Sequence, residues 1–65
     1  MQITVNGEIK NITEMTLLRF LESLDIDPRR VAVELNTDIV PKSDYETTTL
    51  QDGDRMEIVQ FVGGG

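Results

Sequence analysis

The chain has 65 residues, enough for one small domain, and contains no cysteine, histidine or tryptophan. Thiol nucleophiles, disulfide staples, thiolate or imidazole metal ligands and a histidine general base are therefore excluded, and a self-contained enzyme is not expected. A formal net charge of -6, from 6 Lys+Arg against 12 Asp+Glu, opposes binding to nucleic acid or to an anionic membrane and suits a basic protein partner.

Residues Met1 to Asn6 alternate, with Ile3 and Val5 on one side and Gln2 and Thr4 on the other, the pattern of a half-buried strand. Asn6-Gly7 is a hairpin signal, because both central positions of a type I′ turn need positive φ. A second strand is expected over Glu8 to Ile12. Leu17, Phe20, Leu21 and Leu24 then fall at helical spacing, with Arg19, Glu22 and Ser23 opposite them. Thr16 is the expected N-cap, and Asp25, Asp27 and Pro28 are expected to stop the helix. Two to three turns are too few to be stable alone, so the helix must pack onto a sheet.

Val31 to Leu35 reads as a third strand, with Val31, Val33 and Leu35 on one face. Asn36-Thr37-Asp38 is turn-like, and Ile39-Val40 is a brief strand ended by Pro41. Lys42 to Thr49 is polar apart from Tyr45, and is expected to form a loop or single helical turn over one edge, anchored by Leu50. Asp52-Gly53-Asp54 reads as a tight turn before a last strand from Arg55 to Val62. The first and last strands are the candidates for a central parallel pair, joined by a crossover that contains the helix. The expected architecture is α+β, a β-grasp fold: a mixed sheet of four to five strands with one helix on one face. The expected division is a domain over residues 1–62 and a flexible glycine tail over 63–65.

Alternation along the last strand sets Met56, Ile58, Gln60 and Val62 against Arg55, Glu57, Val59 and Phe61. One helix covers one face, so if Met56 and Ile58 meet it, Val59 and Phe61 lie uncovered beside the tail. Exposed apolar groups on a small acidic domain point to a protein contact; burial under the loop around Tyr45, or a bulge that swaps the register, is the alternative. The tail Gly63-Gly64-Gly65 has no side chains to pack, and glycine is costly to order. Extended, three residues reach roughly 10 Å, which suffices to thread an α-carboxylate into a narrow pocket. That carboxylate, ionised above a pKa of about 3.3–3.7, is a poor electrophile and needs activation, most simply as a mixed anhydride with AMP. No phosphate-cradling loop is present, so the ATP site must belong to a partner.

Other constellations are weaker. Asp52-Gly53-Asp54 lacks the further ligands of a calcium loop. Asp25, Asp27 and Glu46 form no catalytic dyad, and Arg29-Arg30 is a basic island best read as a solvated loop. No bound metal is expected. Neither a membrane span nor a signal peptide is apparent, and a soluble cytoplasmic protein, monomeric when free, is expected.

Leu35-Asn36, Ile39-Val40-Pro41, Leu50-Gln51-Asp52-Gly53-Asp54, Glu57-Ile58-Val59 and Phe61-Val62-Gly63-Gly64-Gly65 together resemble the ThiS family, the ubiquitin-like sulfur carriers of thiamine biosynthesis. The resemblance spans nearly the whole chain. It implies that a ThiF-like, E1-like adenylyltransferase uses ATP to adenylate Gly65, and that sulfur relayed from a cysteine desulfurase converts it to a thiocarboxylate. Thiazole synthase (ThiG-like) then takes the sulfur. It further implies that Gly63 and Gly64 thread into partner sites and that Val59, Phe61 and Val62 dock. A MoaD-like carrier for molybdopterin synthesis shares the fold and the diglycine end but tends to carry prolines before the glycines, which Gln60-Phe61-Val62 lacks. A ubiquitin-like modifier of lysines and a binding module with an inert tail are the remaining alternatives.

Overall fold

The computed structural model describes residues 1–61. Strands β1 (Gln2–Val5) and β2 (Glu8–Asn11) form the opening hairpin, with Val5 opposite Glu8. Asn6 and Gly7 take φ of 48° and 84°, the positive values that the turn requires. Helix α1 (Leu17–Ser23) follows, then β3 (Val31–Leu35), β4 (Asp38–Val40) and β5 (Arg55–Gln60). The sheet order is β2-β1-β5-β3-β4. β5 runs parallel to β1 and antiparallel to β3, so the last described strand occupies the centre between two hairpins. This is the expected β-grasp arrangement.

Alternation puts Ile3, Val5, Val31, Val33 and Met56 on the face that meets Leu17, Phe20 and Leu21 of α1, and all eight are buried. Burial of each large apolar side chain contributes roughly 1.5–3 kcal/mol, which holds a seven-residue helix that would not form alone. Its free amides are met one by one. Thr16 Oγ1 accepts from Arg19 at 3.2 Å, while the amides of Leu17 and Leu18 donate to the carbonyls of Thr48 and Tyr45 at 2.8 and 2.9 Å. The segment after β4 is thereby strapped across the start of the helix. It contains a 3-10 turn, Lys42–Asp44, and both Tyr45 and Leu50 are buried in the core. Tyr45 therefore packs on the helix side and leaves the other face of the sheet open.

Several boundaries differ from expectation: β2 ends at Asn11, one residue early, and β4 begins at Asp38, one residue inside the expected turn. The helix is not stopped by Pro28. It ends at Ser23, and Asp25 adopts a left-handed φ of 59°, so that the amide of Asp25 reaches the Glu22 carbonyl and that of Ile26 the Leu21 carbonyl, both at 3.0 Å. This is a Schellman ending, with aspartate where glycine is usual. Leu24 consequently lies beyond the last turn, and is exposed instead of joining the buried stripe. Pro28 opens a separate 3-10 turn, Pro28–Arg30, capped by Asp27. Finally, β5 closes at Gln60.

The two turn asparagines also pair with β5. Asn6 donates from Nδ2 to the Ile58 carbonyl at 3.2 Å and accepts the Ile58 amide at 2.7 Å, extending the ladder past the end of β1. Asn36, left-handed at φ 50°, accepts the Arg55 amide at 2.9 Å through Oδ1 and donates to Asp54 Oδ1 at 2.8 Å. The Asp52-Gly53-Asp54 turn is used in the same way. Asp52 accepts the Gln2 amide, and the buried Asp54 carboxylate accepts that of Gln51, each at 2.7 Å.

Candidate functional site

The face opposite α1 carries no covering element among the described residues. Its composition follows from register: Glu34 lies opposite both Ile39 and Glu57, and Ala32 opposite Val59. Val59 is 59% exposed, Ile39 66% and Phe61 52%, so the expectation that Val59 and Phe61 are uncovered holds. Ile39 joins them. Alternation in β4 could have signalled it, since Val40 packs against the core and Ile39 must then point outward. Among the expected site residues, Val62, Gly63, Gly64 and Gly65 lie outside the described residues.

At the end of β5 the chain is held on two sides. The Phe61 amide donates to the Arg30 carbonyl at 2.9 Å, which continues the β3–β5 ladder one step beyond Gln60. Lys42 Nζ lies 5.4 Å from the centre of the Phe61 ring, a cation–π distance, and donates to the Val31 carbonyl at 2.8 Å. The Tyr45 hydroxyl approaches the same carbonyl at a long 3.4 Å, and burial pushes its pKa up. Sequence reasoning missed Lys42. Nothing in a polar stretch marks which lysine folds back over a residue 19 positions later.

The electrostatics around this exit are divided. Arg29 and Arg30 lie largely in solvent, as expected, and both pair with Asp27, at 3.0 and 3.7 Å. The Arg29 hydrogen bonds hold the Asp27 carboxyl down to about 2. On the open face, Glu34 and Glu57 stand directly opposite one another and neither forms an ion pair among the described residues. The described residues also contain no cluster of three His, Cys, Asp or Glu side chains able to hold a metal ion, and no helix among them is long and apolar enough to cross a membrane.

The sequence model of the ThiS family matches residues 3–65, almost the whole chain. The chain belongs to the ThiS family. Within it, the sulfur carrier protein ThiS of Bacillus subtilis is 42% identical over 50 residues, covering 77% of this chain and 76% of that one. The crystal structure of the thiamine biosynthesis protein ThiS from Geobacter metallireducens superposes with a TM-score of 0.85 at 32% identity, covering 100% of both chains. A thiazole synthase of Paramagnetospirillum magneticum is 48% identical over 66 residues. That match takes in 100% of this chain but only 20% of the synthase, so the chain spans a fifth of the length of that relative.

Proposed function

We propose that this chain is a sulfur carrier in thiamine biosynthesis and that the α-carboxylate of Gly65 is the group that carries the sulfur. The observation that carries the reading is the ThiS-family match running through residue 65 and so taking in the glycine run. Relatives named sulfur carrier protein ThiS support the role. The domain over residues 1–62 presents the tail over 63–65, with Val59, Phe61 and Val62 docking and Gly63 and Gly64 entering the partner's pocket. The exposure of Val59 on β5 and of Phe61 directly after it supports this division of labour.

The chemistry is that of a carboxylate made electrophilic. A carboxylate oxygen of Gly65 attacks the α-phosphorus of ATP held by a ThiF-like adenylyltransferase, and pyrophosphate leaves. The terminal sulfur of a persulfide, supplied through a cysteine desulfurase, then attacks the acyl carbon, and AMP leaves. Attack of a thiol on the resulting acyl disulfide frees the thiocarboxylate and leaves a disulfide on the donor. Thiazole synthase consumes the product; the full-length match of this chain to part of a thiazole synthase supports that pairing. The chain is thus a protein substrate, acting as a monomer in the cytoplasm, and all nucleotide chemistry belongs to the partner.

Intact-mass measurement after incubation with the adenylyltransferase, ATP and a persulfide donor is expected to show one oxygen replaced by sulfur. The same gain in a chain lacking Gly65 would overturn the assignment. Adducts on lysines of other proteins would instead support a modifier.

A further inference from the structure

We propose that Lys42 is a positioning residue that fixes Phe61 at the point where the chain leaves the sheet. The inference rests on the carrier reading above. A chain leaving the end of a strand is poorly ordered unless something ties it down. Here Phe61, the last described residue, is tied by its amide to Arg30 and by its ring to Lys42 Nζ.

Lys42 is suited to fix a direction because its own position is fixed. It opens the 3-10 turn that Pro41 and Tyr45 bracket, with the Asp44 amide on the Pro41 carbonyl at 2.9 Å and that of Tyr45 on the Lys42 carbonyl at 3.1 Å. Tyr45 is anchored in the core. The Lys42 ammonium group donates to the carbonyl of Val31, which pairs with Gln60 immediately before Phe61. One cation therefore joins the first residue of β3 to the ring that closes β5.

The charge is not spent elsewhere. Lys42 has no carboxylate within ion-pair distance among the described residues, while the nearby Arg29 and Arg30 are both committed to Asp27. Lys42 is itself exposed, yet its ammonium group lies against a backbone carbonyl and an aromatic face instead of pointing away from both. Arginine could make the same two contacts, since it also donates to carbonyls and stacks on rings; methionine, of similar length, could make neither.

Misplacing a reacting group by about 1 Å can cost up to a hundredfold in rate. Lys42→Met is therefore expected to lower kcat for adenylation by roughly tenfold, read by ATP–pyrophosphate exchange, while Lys42→Arg retains it. Amide hydrogen exchange of the free chain supplies the structural readout. In Lys42→Met the Phe61 amide should lose protection while Val33 and Met56 keep theirs. Loss at all three, or a failure of this variant to fold, would make Lys42 a general structural staple and overturn the proposal. So would an unchanged kcat in a folded variant when the wild-type chain reacts. If the wild-type chain is not adenylated at all, the carrier reading itself fails; exchange at Phe61 then still reports whether Lys42 holds the exit.

Discussion

The Asp27 carboxylate receives three hydrogen bonds from Arg29: from Nε at 3.1 Å, from Nη2 at 3.0 Å and from the backbone amide at 2.9 Å. Together they favour its charged form and hold its pKa at about 2 against an ordinary 3.8. A carboxyl held low in the folded state adds stability above its unfolded value, and that contribution fades as the pH falls from about 4 toward 2. The pair is on the surface, so the effect is small and weakened by salt. The NMR titration of Asp27 is expected to centre near 2 and to move up toward the ordinary value in Arg29→Ala. An unmoved midpoint would exclude Arg29 as the cause.

Two further residues test the assignment of faces. Leu21 is fully buried under the sheet, and Leu21→Ala should cost about 2–5 kcal/mol through lost burial and the cavity left behind. Phe61 is half exposed and touches a lysine, so Phe61→Ala should cost no more than about 1 kcal/mol. Urea denaturation separates the two, and a Phe61→Ala loss as large as that of Leu21→Ala would place Phe61 in the core. The same Phe61→Ala chain is expected to bind the adenylyltransferase more weakly.

Among the elements, β3 and β5 share the longest ladder, with five paired residues from Val31↔Gln60 to Leu35↔Met56. One rung, Glu34↔Glu57, is unfavourable, because like charges directly opposite across an antiparallel pair repel. Glu57→Gln should therefore raise stability by about 0.2–1 kcal/mol, and the gain should shrink as salt is added. A loss of stability in that variant would mean that Glu57 has a stabilising contact which outweighs the repulsion. The helix has the opposite character. It has no acidic residue in its first turn and no basic one in its last, and it depends on packing and on the carbonyls of the 45–48 segment.

For the whole molecule, what was legible in the sequence was what local chemistry or a general rule of connection decides. Asn6-Gly7 specified its turn, Thr16 its cap, alternation the exposure of Val59 and Phe61, and the crossover rule the central parallel pair. What was not legible depends on distant partners. Asp25 turns left-handed with no glycine to announce it. Asp54 is buried because Asn36, 18 residues away, completes its hydrogen bonds. Tyr45, the one large apolar group in a polar stretch, looked like a cover for an edge and is part of the core. Lys42 acquires its neighbours only when β3 and β5 have met.

The central place of β5 has a consequence for biosynthesis. Until Arg55–Gln60 has been made, the β1–β2 and β3–β4 hairpins have no strand between them, and Met56 is missing from the core. A nascent or truncated chain that stops short of β5 therefore cannot close its fold. The same strand carries Val59, and Phe61 follows it directly. Display of Val59 and Phe61 in the geometry of a finished sheet is thus tied to the insertion of the last strand, and marks a chain that has completed folding.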